Sequence, residues 1–123
     1  MGPKKILIAD DDADIRDLLA IFLRKSGFEV VEVDEGRSAV SEALKGGFEL
    51  ILMDVMMPGI DGYHAAAEIS EKMGSFRPKI LIMTSRNLDV EQGIVVLSGA
   101  DASIQKPFKL EDVKAKIETL LAP

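Results

Sequence analysis

Four aspartates are the residues of this sequence best placed to do chemistry. Asp10, Asp11 and Asp12 are consecutive and follow an apolar run, and Asp54 follows a second apolar run. Carboxylates that a fold brings close together repel one another by roughly 4 kcal/mol per pair at intermediate dielectric. Such a fold must supply a cation at that point or keep some of the carboxyls protonated. The pattern therefore indicates a candidate divalent-metal site.

Short apolar runs recur along the whole sequence and predict five strands. Several of these runs are apolar throughout, which is typical of parallel strands that are covered on both faces. The predicted strands span residues 4–9, 28–33, 49–53, 79–84 and 102–105.

Amphipathic stretches separate these runs and predict five helices. Ile15, Leu18, Leu19 and Phe22 follow helical spacing, and this first helix is expected to end at Ser26-Gly27. Strands that alternate with helices imply an α/β fold with a parallel sheet and right-handed crossovers, here a single domain over residues 1–123. The remaining helices are predicted over residues 37–45, 62–73, 88–98 and 110–121.

The carboxyl ends of the predicted strands bring a distinctive set of side chains to one edge of the sheet, where ligands bind in such folds. Asp10 and Asp11 follow the first strand, Asp54 closes the third, Thr84 closes the fourth and Lys106 follows the fifth. Mg²⁺ prefers oxygen ligands and commonly bridges carboxylates to a phosphate. A carboxylate can also attack phosphorus and form an aspartyl phosphate. The carboxylates, the hydroxyl and the ammonium are therefore together sufficient to form and hold an acyl phosphate on one of the aspartates.

The aspartates are expected to differ in role. Asp54 lies at the end of a central strand, has no acidic neighbour in the sequence, and is the candidate nucleophile. Asp10 and Asp11 are adjacent and point in different directions, which suits one direct metal ligand and one ligand acting through water. Asp12 is predicted to cap the first helix.

Five stretches together resemble the receiver domain of response regulators in two-component signalling, with chemotaxis regulators as the nearest type. The resemblance covers essentially the whole chain, and its landmarks occur in the family's order and spacing. It implies a flavodoxin-like, doubly wound sheet with strand order 2-1-3-4-5. The stretches are KILIADDD (5–12), MDVMMPGIDG (53–62), MTS (83–85), GAD (99–101) and KPF (106–108).

The resemblance also implies a role for each site residue. Asp54 would accept a phosphoryl group from the phosphohistidine of a sensor histidine kinase or a phosphotransfer protein. Thr84 would bond that group, and Lys106, followed by a cis bond to Pro107, would pair with it. An output partner would bind through the fourth helix, fifth strand and fifth helix. The implied Mg²⁺ ligands are Asp10, Asp11, Asp54 and the backbone carbonyl of Met56.

Three positions bear on how such a receiver would work. Ser103 stands where the family usually has a Tyr or Phe, three residues before the lysine. A serine cannot fill an aromatic-sized pocket, so we expect activation to depend on Thr84, the loop 85–90 and the fourth helix. Met56 and Arg86 occupy positions that tune dephosphorylation in the family. Because apolar Met56 cannot orient an attacking water, the phosphoryl group is predicted to be long-lived.

Composition excludes several other classes of function. The chain has no cysteine and one histidine, which excludes thiolate catalysis, cysteine-based zinc sites and multi-histidine metal sites. A net charge of −6 argues against a nucleic-acid footprint. No apolar run is long enough to cross a bilayer, and a cytoplasmic location is expected.

Alternatives of similar topology remain open from the residues alone. A phosphorelay intermediate would pass its phosphoryl group on to a phosphotransfer protein. A flavin-binding module would need a glycine- and hydroxyl-rich phosphate loop where the three aspartates stand. A phosphohydrolase would need a second acid at the position of Met56. The protein is expected to be a signalling domain that phosphorylates itself from a donor, either stand-alone or as a segment of a longer protein.

Overall fold

Five parallel strands form one sheet in the computed structural model, which describes residues 2–123. The order across the sheet is β2-β1-β3-β4-β5, and each neighbouring pair is parallel. This confirms the predicted α/β fold and its strand order. The strands are β1 (Lys5–Ala9), β2 (Glu29–Val33), β3 (Leu50–Asp54), β4 (Lys79–Thr84) and β5 (Ala102–Gln105).

Helices connect successive strands and cover both faces of the sheet. Most predicted bounds agree with the observed ones, and the others differ by one residue, because caps rather than periodicity decide where an element ends. A short 3₁₀ turn over Gly74–Phe76 was not predicted. The helices are α1 (Ala13–Lys25), α2 (Gly36–Leu44), α3 (Gly62–Met73), α4 (Leu88–Leu97) and α5 (Leu110–Leu121).

The central strand β3 supplies side chains to two separate layers of the core. Leu50 and Leu52 belong to the layer packed with α1 and α5, whereas Ile51 and Met53 belong to the layer packed with α2, α3 and α4. All four side chains are fully buried. Since successive strand residues point to opposite faces, a strand that is covered on both faces must be apolar throughout. Asp54 interrupts this pattern only where the strand ends.

Helix α4 is the least covered of the helices. Val95 is its one buried residue, while Val90, Val96 and Leu97 are 79%, 72% and 85% exposed. The apolar residues of α4 therefore divide between the core and the surface. Across residues 2–123, no helix is both long enough and apolar enough to span a membrane.

The start of α3 is packed directly against the end of β3. The Gly62 N–H donates to the Val55 carbonyl at 2.8 Å, and the Asp61 carboxylate caps the helix by accepting from the His64 N–H at 2.9 Å. A Cβ at Gly62 would collide with the Asp54 carbonyl. Glycine is therefore required here, and the close contact fixes the backbone that carries Asp54.

Candidate functional site

The structure brings three of the predicted acidic residues together at the carboxyl edge of the sheet. Asp10 follows β1 and Asp54 ends β3, and these two strands are neighbours. Asp10, Asp11 and Asp54 each offer one carboxylate oxygen, and these oxygens lie within 4.8 Å of one another. Asp10 and Asp54 are buried, while Asp11 is exposed. Two of the carboxylates are thus held rigidly and the third faces solvent.

Lys106 reaches this cluster from the end of β5. Its Nζ lies 2.8 Å from Asp10 Oδ2 and 3.2 Å from Asp54 Oδ1, and its side chain is only 15% exposed. The backbone N–H of Lys106 donates to the Thr84 carbonyl at 2.7 Å, which ties the residue to the end of β4. The peptide bond between Lys106 and Pro107 is cis, as the resemblance implied.

Thr84 is buried at the same edge. Its Oγ1 accepts a hydrogen bond from the Arg86 N–H at 3.0 Å. A hydroxyl has one proton of its own, so Thr84 can still donate to a further acceptor. Met56 lies two residues beyond Asp54 with its side chain more than half exposed.

Asp10 is held by more groups than the sequence indicated. Its Oδ1 accepts from the Asp12 N–H at 2.9 Å, and its carbonyl accepts from the Arg16 guanidinium at 2.8 Å. Asp12 itself caps α1 by accepting from the N–H groups of Asp14 and Ile15, which confirms its predicted role. The sequence carries no signal for Arg16, because its partner is a backbone carbonyl rather than a side chain.

The cluster carries more negative charge than positive charge. Burial, with a further contribution from the charge of Asp10, raises the pKa of the Asp54 carboxyl to about 6, although Lys106 partly offsets the rise. Burial opposes the charge on Lys106, but its hydrogen bond to Asp10 and the two carboxylate charges outweigh burial and raise its pKa. The ammonium therefore remains charged, but its single positive charge does not neutralise the negative charge of the carboxylates.

This donor set fits a hard divalent cation. Three carboxylate oxygens lie close together, and the one ammonium beside them does not balance their charge. Mg²⁺ takes oxygen ligands and keeps several waters, so a partly open acidic cluster suits it. The geometry is therefore compatible with Mg²⁺.

A second polar group lies beside this cluster and was not predicted from the sequence. An Arg86 guanidinium nitrogen lies 3.1 Å from Met56 Sδ, and another lies 3.6 Å from Glu91 Oε1. Tyr63 on α3 donates to the same Glu91 oxygen at 3.0 Å. Tyr63 and Glu91 are 28 residues apart, and only the packing of α3 against α4 brings them together.

Ser103 lies in β5 beside Ile82 of β4 and is only partly exposed. The structure thus places a small side chain at the position where the family usually has an aromatic ring.

A doubly wound parallel sheet with acidic residues, a threonine and a lysine at its carboxyl edge defines an α/β receiver module. The response regulator receiver domain family matches residues 6–118, and the chain belongs to that family. It is a phosphorylation-activated receiver of two-component signalling. The family match favours this function over that of a flavin-binding module.

Individual relatives agree with this assignment. The transcriptional regulatory protein ResD of Bacillus subtilis is 33% identical over 117 residues, which are 95% of this chain and 48% of ResD. The chain thus spans about half the length of the curated relatives it matches.

Solved structures are similar over nearly the full chain. Response regulator TrrA of Thermotoga maritima, solved with Mg²⁺-BeF, is 31% identical with a TM-score of 0.86, covering 96% of this chain and 99% of its own. The receiver domain of sensor histidine kinase PA1611 of Pseudomonas aeruginosa, with magnesium coordinated in its active-site cleft, is 26% identical with a TM-score of 0.89. The match covers 99% of this chain and 100% of that one.

Proposed function

We propose that Asp54 is the residue that accepts the phosphoryl group. The observation that supports this most strongly is the position of Lys106, whose ammonium lies 3.2 Å from Asp54 Oδ1 inside the acidic cluster. A cation beside the nucleophilic oxygen is suited to pair with the oxygens of an arriving phosphoryl group. Asp10 is buried and already accepts from both Lys106 and the Asp12 N–H, so it is less free to react.

In the proposed reaction an Asp54 carboxylate oxygen attacks the phosphorus of a phosphohistidine. The new O–P bond forms as the P–N bond breaks, and the bonding electrons remain on the imidazole nitrogen, which takes up a proton. Lys106 pairs with one phosphoryl oxygen, and the free proton of the Thr84 hydroxyl is donated to another. The chain thereby phosphorylates itself once for each donor molecule and has no separate substrate to turn over.

Mg²⁺ is part of the same proposal. Its ligands would be oxygens of Asp10, Asp11 and Asp54 together with the Met56 carbonyl. When bound, Mg²⁺ supplies the positive charge that the cluster lacks and helps to position the phosphoryl oxygens. The PA1611 receiver and TrrA, both solved with magnesium, support this assignment by analogy.

The partners follow from the same proposal. The donor would be a sensor histidine kinase or a phosphotransfer protein, and residues 1–123 would act in the cytoplasm as the receiver unit. The output partner would bind the surface of α4, β5 and α5. Exposed apolar side chains on α4, among them Val96, support that choice of surface.

Incubation with acetyl phosphate and Mg²⁺, followed by intact mass measurement, tests the chemistry. We expect a phosphate-sized mass gain in the native chain, no gain in Asp54→Ala, and no gain when Mg²⁺ is chelated. Asp34→Ala is a matched control, because Asp34 is an exposed aspartate that follows β2 at the same edge of the sheet. Absence of the gain in the native chain, or its persistence in Asp54→Ala, would refute the proposal.

A further inference from the structure

Arg86 links the candidate phosphoryl site to α4. Its backbone N–H donates to Thr84 Oγ1 at 3.0 Å, so the residue is anchored at the end of β4. Its guanidinium lies 3.1 Å from Met56 Sδ on one side and 3.6 Å from Glu91 Oε1 on the other. The side chain is 49% exposed, which leaves it room to change partners.

Glu91 lies in the first turn of α4 and has two partners for one oxygen. Its Oε1 is approached by Arg86 and also accepts the Tyr63 hydroxyl proton at 3.0 Å. The Glu91 side chain is only 17% exposed, and Tyr63 is buried. Burial, together with the hydrogen bond to Glu91, raises the pKa of Tyr63 to about 12. Arg86, Glu91 and Tyr63 therefore form a chain from the site to the packing of α3 against α4.

The charge of an acyl phosphate would give Arg86 a stronger partner than Glu91. A phosphoryl group carries about −1.5 to −2 charges at neutral pH. With Lys106 and one divalent cation present, the phosphorylated cluster still has negative charge in excess. Guanidinium groups match phosphate oxygens with two parallel hydrogen bonds. The present contact with Glu91, at 3.6 Å, is longer than a well-formed hydrogen bond and is the weaker alternative.

We propose that Arg86 is an additional phosphoryl-binding residue, and that its guanidinium leaves Glu91 for the phosphoryl group on Asp54. This inference rests on the proposed function of Asp54. Once Arg86 has moved, Glu91 is a largely buried carboxylate without its cation, and such a charge is costly to keep buried. Glu91 turns towards solvent, its bond to Tyr63 breaks, and the first turn of α4 rearranges.

This route accounts for how a receiver with Ser103 reports phosphorylation at its surface. A serine in β5 offers no aromatic ring whose movement could follow Thr84. Arg86 is hydrogen-bonded to Thr84 through its backbone, and its side chain forms a long ion pair with Glu91 of α4. It can therefore carry the signal from the end of β4 to α4 without an aromatic residue at position 103.

Tyr63 provides a built-in reporter for this movement. It is the only tyrosine, and the chain has no tryptophan, so intrinsic tyrosine emission comes from this single phenol. A carboxylate hydrogen-bonded to a phenol quenches its emission. Breaking the bond between Tyr63 and Glu91 is therefore expected to raise the emission.

The experiment measures tyrosine emission and intact mass in the same samples, before and after addition of acetyl phosphate and Mg²⁺. In the native chain we expect a phosphate-sized mass gain together with a rise in emission. In Arg86→Ala we expect the mass gain, but high emission from the start and no further rise. Glu91→Gln, which removes the quenching carboxylate by an independent change, is expected to behave like Arg86→Ala.

Arg24→Ala is the matched control. Arg24 is 51% exposed and lies 3.4 Å from a carboxylate oxygen of Glu32, a pair of similar geometry remote from α4. This variant should show both the mass gain and the emission rise of the native chain.

The outcomes separate the two proposals. A native mass gain without an emission change, or a full emission rise in Arg86→Ala, would overturn the role of Arg86 while the function of Asp54 stands. Loss of the mass gain in a folded Arg86→Ala would also overturn it, since Arg86 would then be required for the transfer itself. No mass gain in the native chain would remove the proposed function and this inference together.

Discussion

The ammonium of Lys106 lies 3.2 Å from a carboxylate oxygen of Asp54, although the two residues are 52 positions apart in the sequence. The same ammonium lies 2.8 Å from Asp10. One cation thus serves two buried carboxylates. Burial, with the charge of Asp10, raises the pKa of Asp54 to about 6, because the shared ammonium offsets the rise only in part. In spite of its burial, the hydrogen bond to Asp10 and the two carboxylate charges raise the pKa of Lys106. The site is built with a deficit of positive charge.

Asp54→Asn is expected to stabilise the metal-free protein at neutral and alkaline pH. The folded-state pKa of Asp54, about 6, lies above its ordinary value of 3.8, so folding disfavours the ionised form. The free energy of unfolding therefore falls as pH rises between these values. The full shift corresponds to about 3 kcal/mol, and loss of the charged bond to Lys106 offsets part of it, so we expect a net gain of about 1 kcal/mol at about pH 8.

Urea unfolding in the presence of a chelator measures this effect. The difference between Asp54→Asn and the native chain should shrink as pH is lowered to about 4, where the carboxyl is protonated in the folded state. A variant that is less stable than the native chain across the whole pH range would contradict the account.

Asp11→Asn is expected to remove most of the stabilisation that Mg²⁺ provides. A ligand that binds only the folded state at one hundred times its dissociation constant adds about 2.7 kcal/mol to the free energy of unfolding. Losing one of three clustered carboxylates should abolish most of that gain at the same Mg²⁺ concentration. Thermal unfolding with and without Mg²⁺ provides the measurement.

Asp12→Asn is the matched control for this test. It removes one charge from the adjacent position, and asparagine still caps a helix well. Its response to Mg²⁺ should equal that of the native chain. Equal responses in Asp11→Asn and Asp12→Asn would show that Asp11 is not a ligand.

Asp101→Asn is expected to destabilise the protein at neutral pH but not in acid. Asp101 Oδ2 accepts from the Ile80 N–H and from Arg77, each at 2.8 Å. Burial opposes its ionisation, but these bonds outweigh burial and lower the pKa of Asp101. A lowered carboxyl pKa gives stability that is present above the unfolded pKa and is lost as pH falls through the folded one.

We expect Asp101→Asn to cost about 2 kcal/mol at neutral pH, as for loss of hydrogen bonds to a charged group. The cost should disappear well below about pH 4. Asp17→Asn, at an exposed position on α1, should have little effect at any pH. A cost for Asp101→Asn that does not change with pH would argue against the carboxylate as its source.

The phosphoryl group on Asp54 is expected to persist for minutes or longer, because the Met56 side chain cannot orient an attacking water. Met56→Asn, which places a polar amide at this exposed position, should shorten the lifetime by about tenfold or more. Met57→Leu is a suitable control, since Met57 is buried and the change conserves volume. The decay of the phosphate-sized mass gain gives the lifetimes, and a native lifetime of seconds would contradict the prediction.

The fold followed from the sequence because its strands are covered on both faces. In β3, four consecutive apolar residues supply both layers of the core, so the run itself indicates a buried parallel strand. The position of Asp54 at its end then placed the acidic cluster at the carboxyl edge. The bounds of α2 and the end of α4 shifted by one residue, whereas α3, which Asp61 caps, has the predicted bounds.

Contacts that depend on how helices pack could not be read from the sequence. The bond between Tyr63 and Glu91 requires one particular rotation of α3 and of α4, and neither residue belongs to a recognisable motif. The hydrogen bond from Arg16 to the Asp10 carbonyl has a backbone acceptor, so the pattern of side chains in the sequence does not indicate it. Asp101 belongs to the GAD stretch, but nothing in that stretch indicates its binding to Arg77.

The identity of the phosphorylated residue is the central claim, and chemical trapping tests it most directly. Borohydride reduces an aspartyl phosphate to the alcohol of homoserine, so peptide mass mapping after acetyl phosphate treatment locates the modified position. The account predicts homoserine at position 54, only in samples that received both acetyl phosphate and Mg²⁺. Homoserine at position 10 or 11 instead, with Asp54 unchanged, would contradict it.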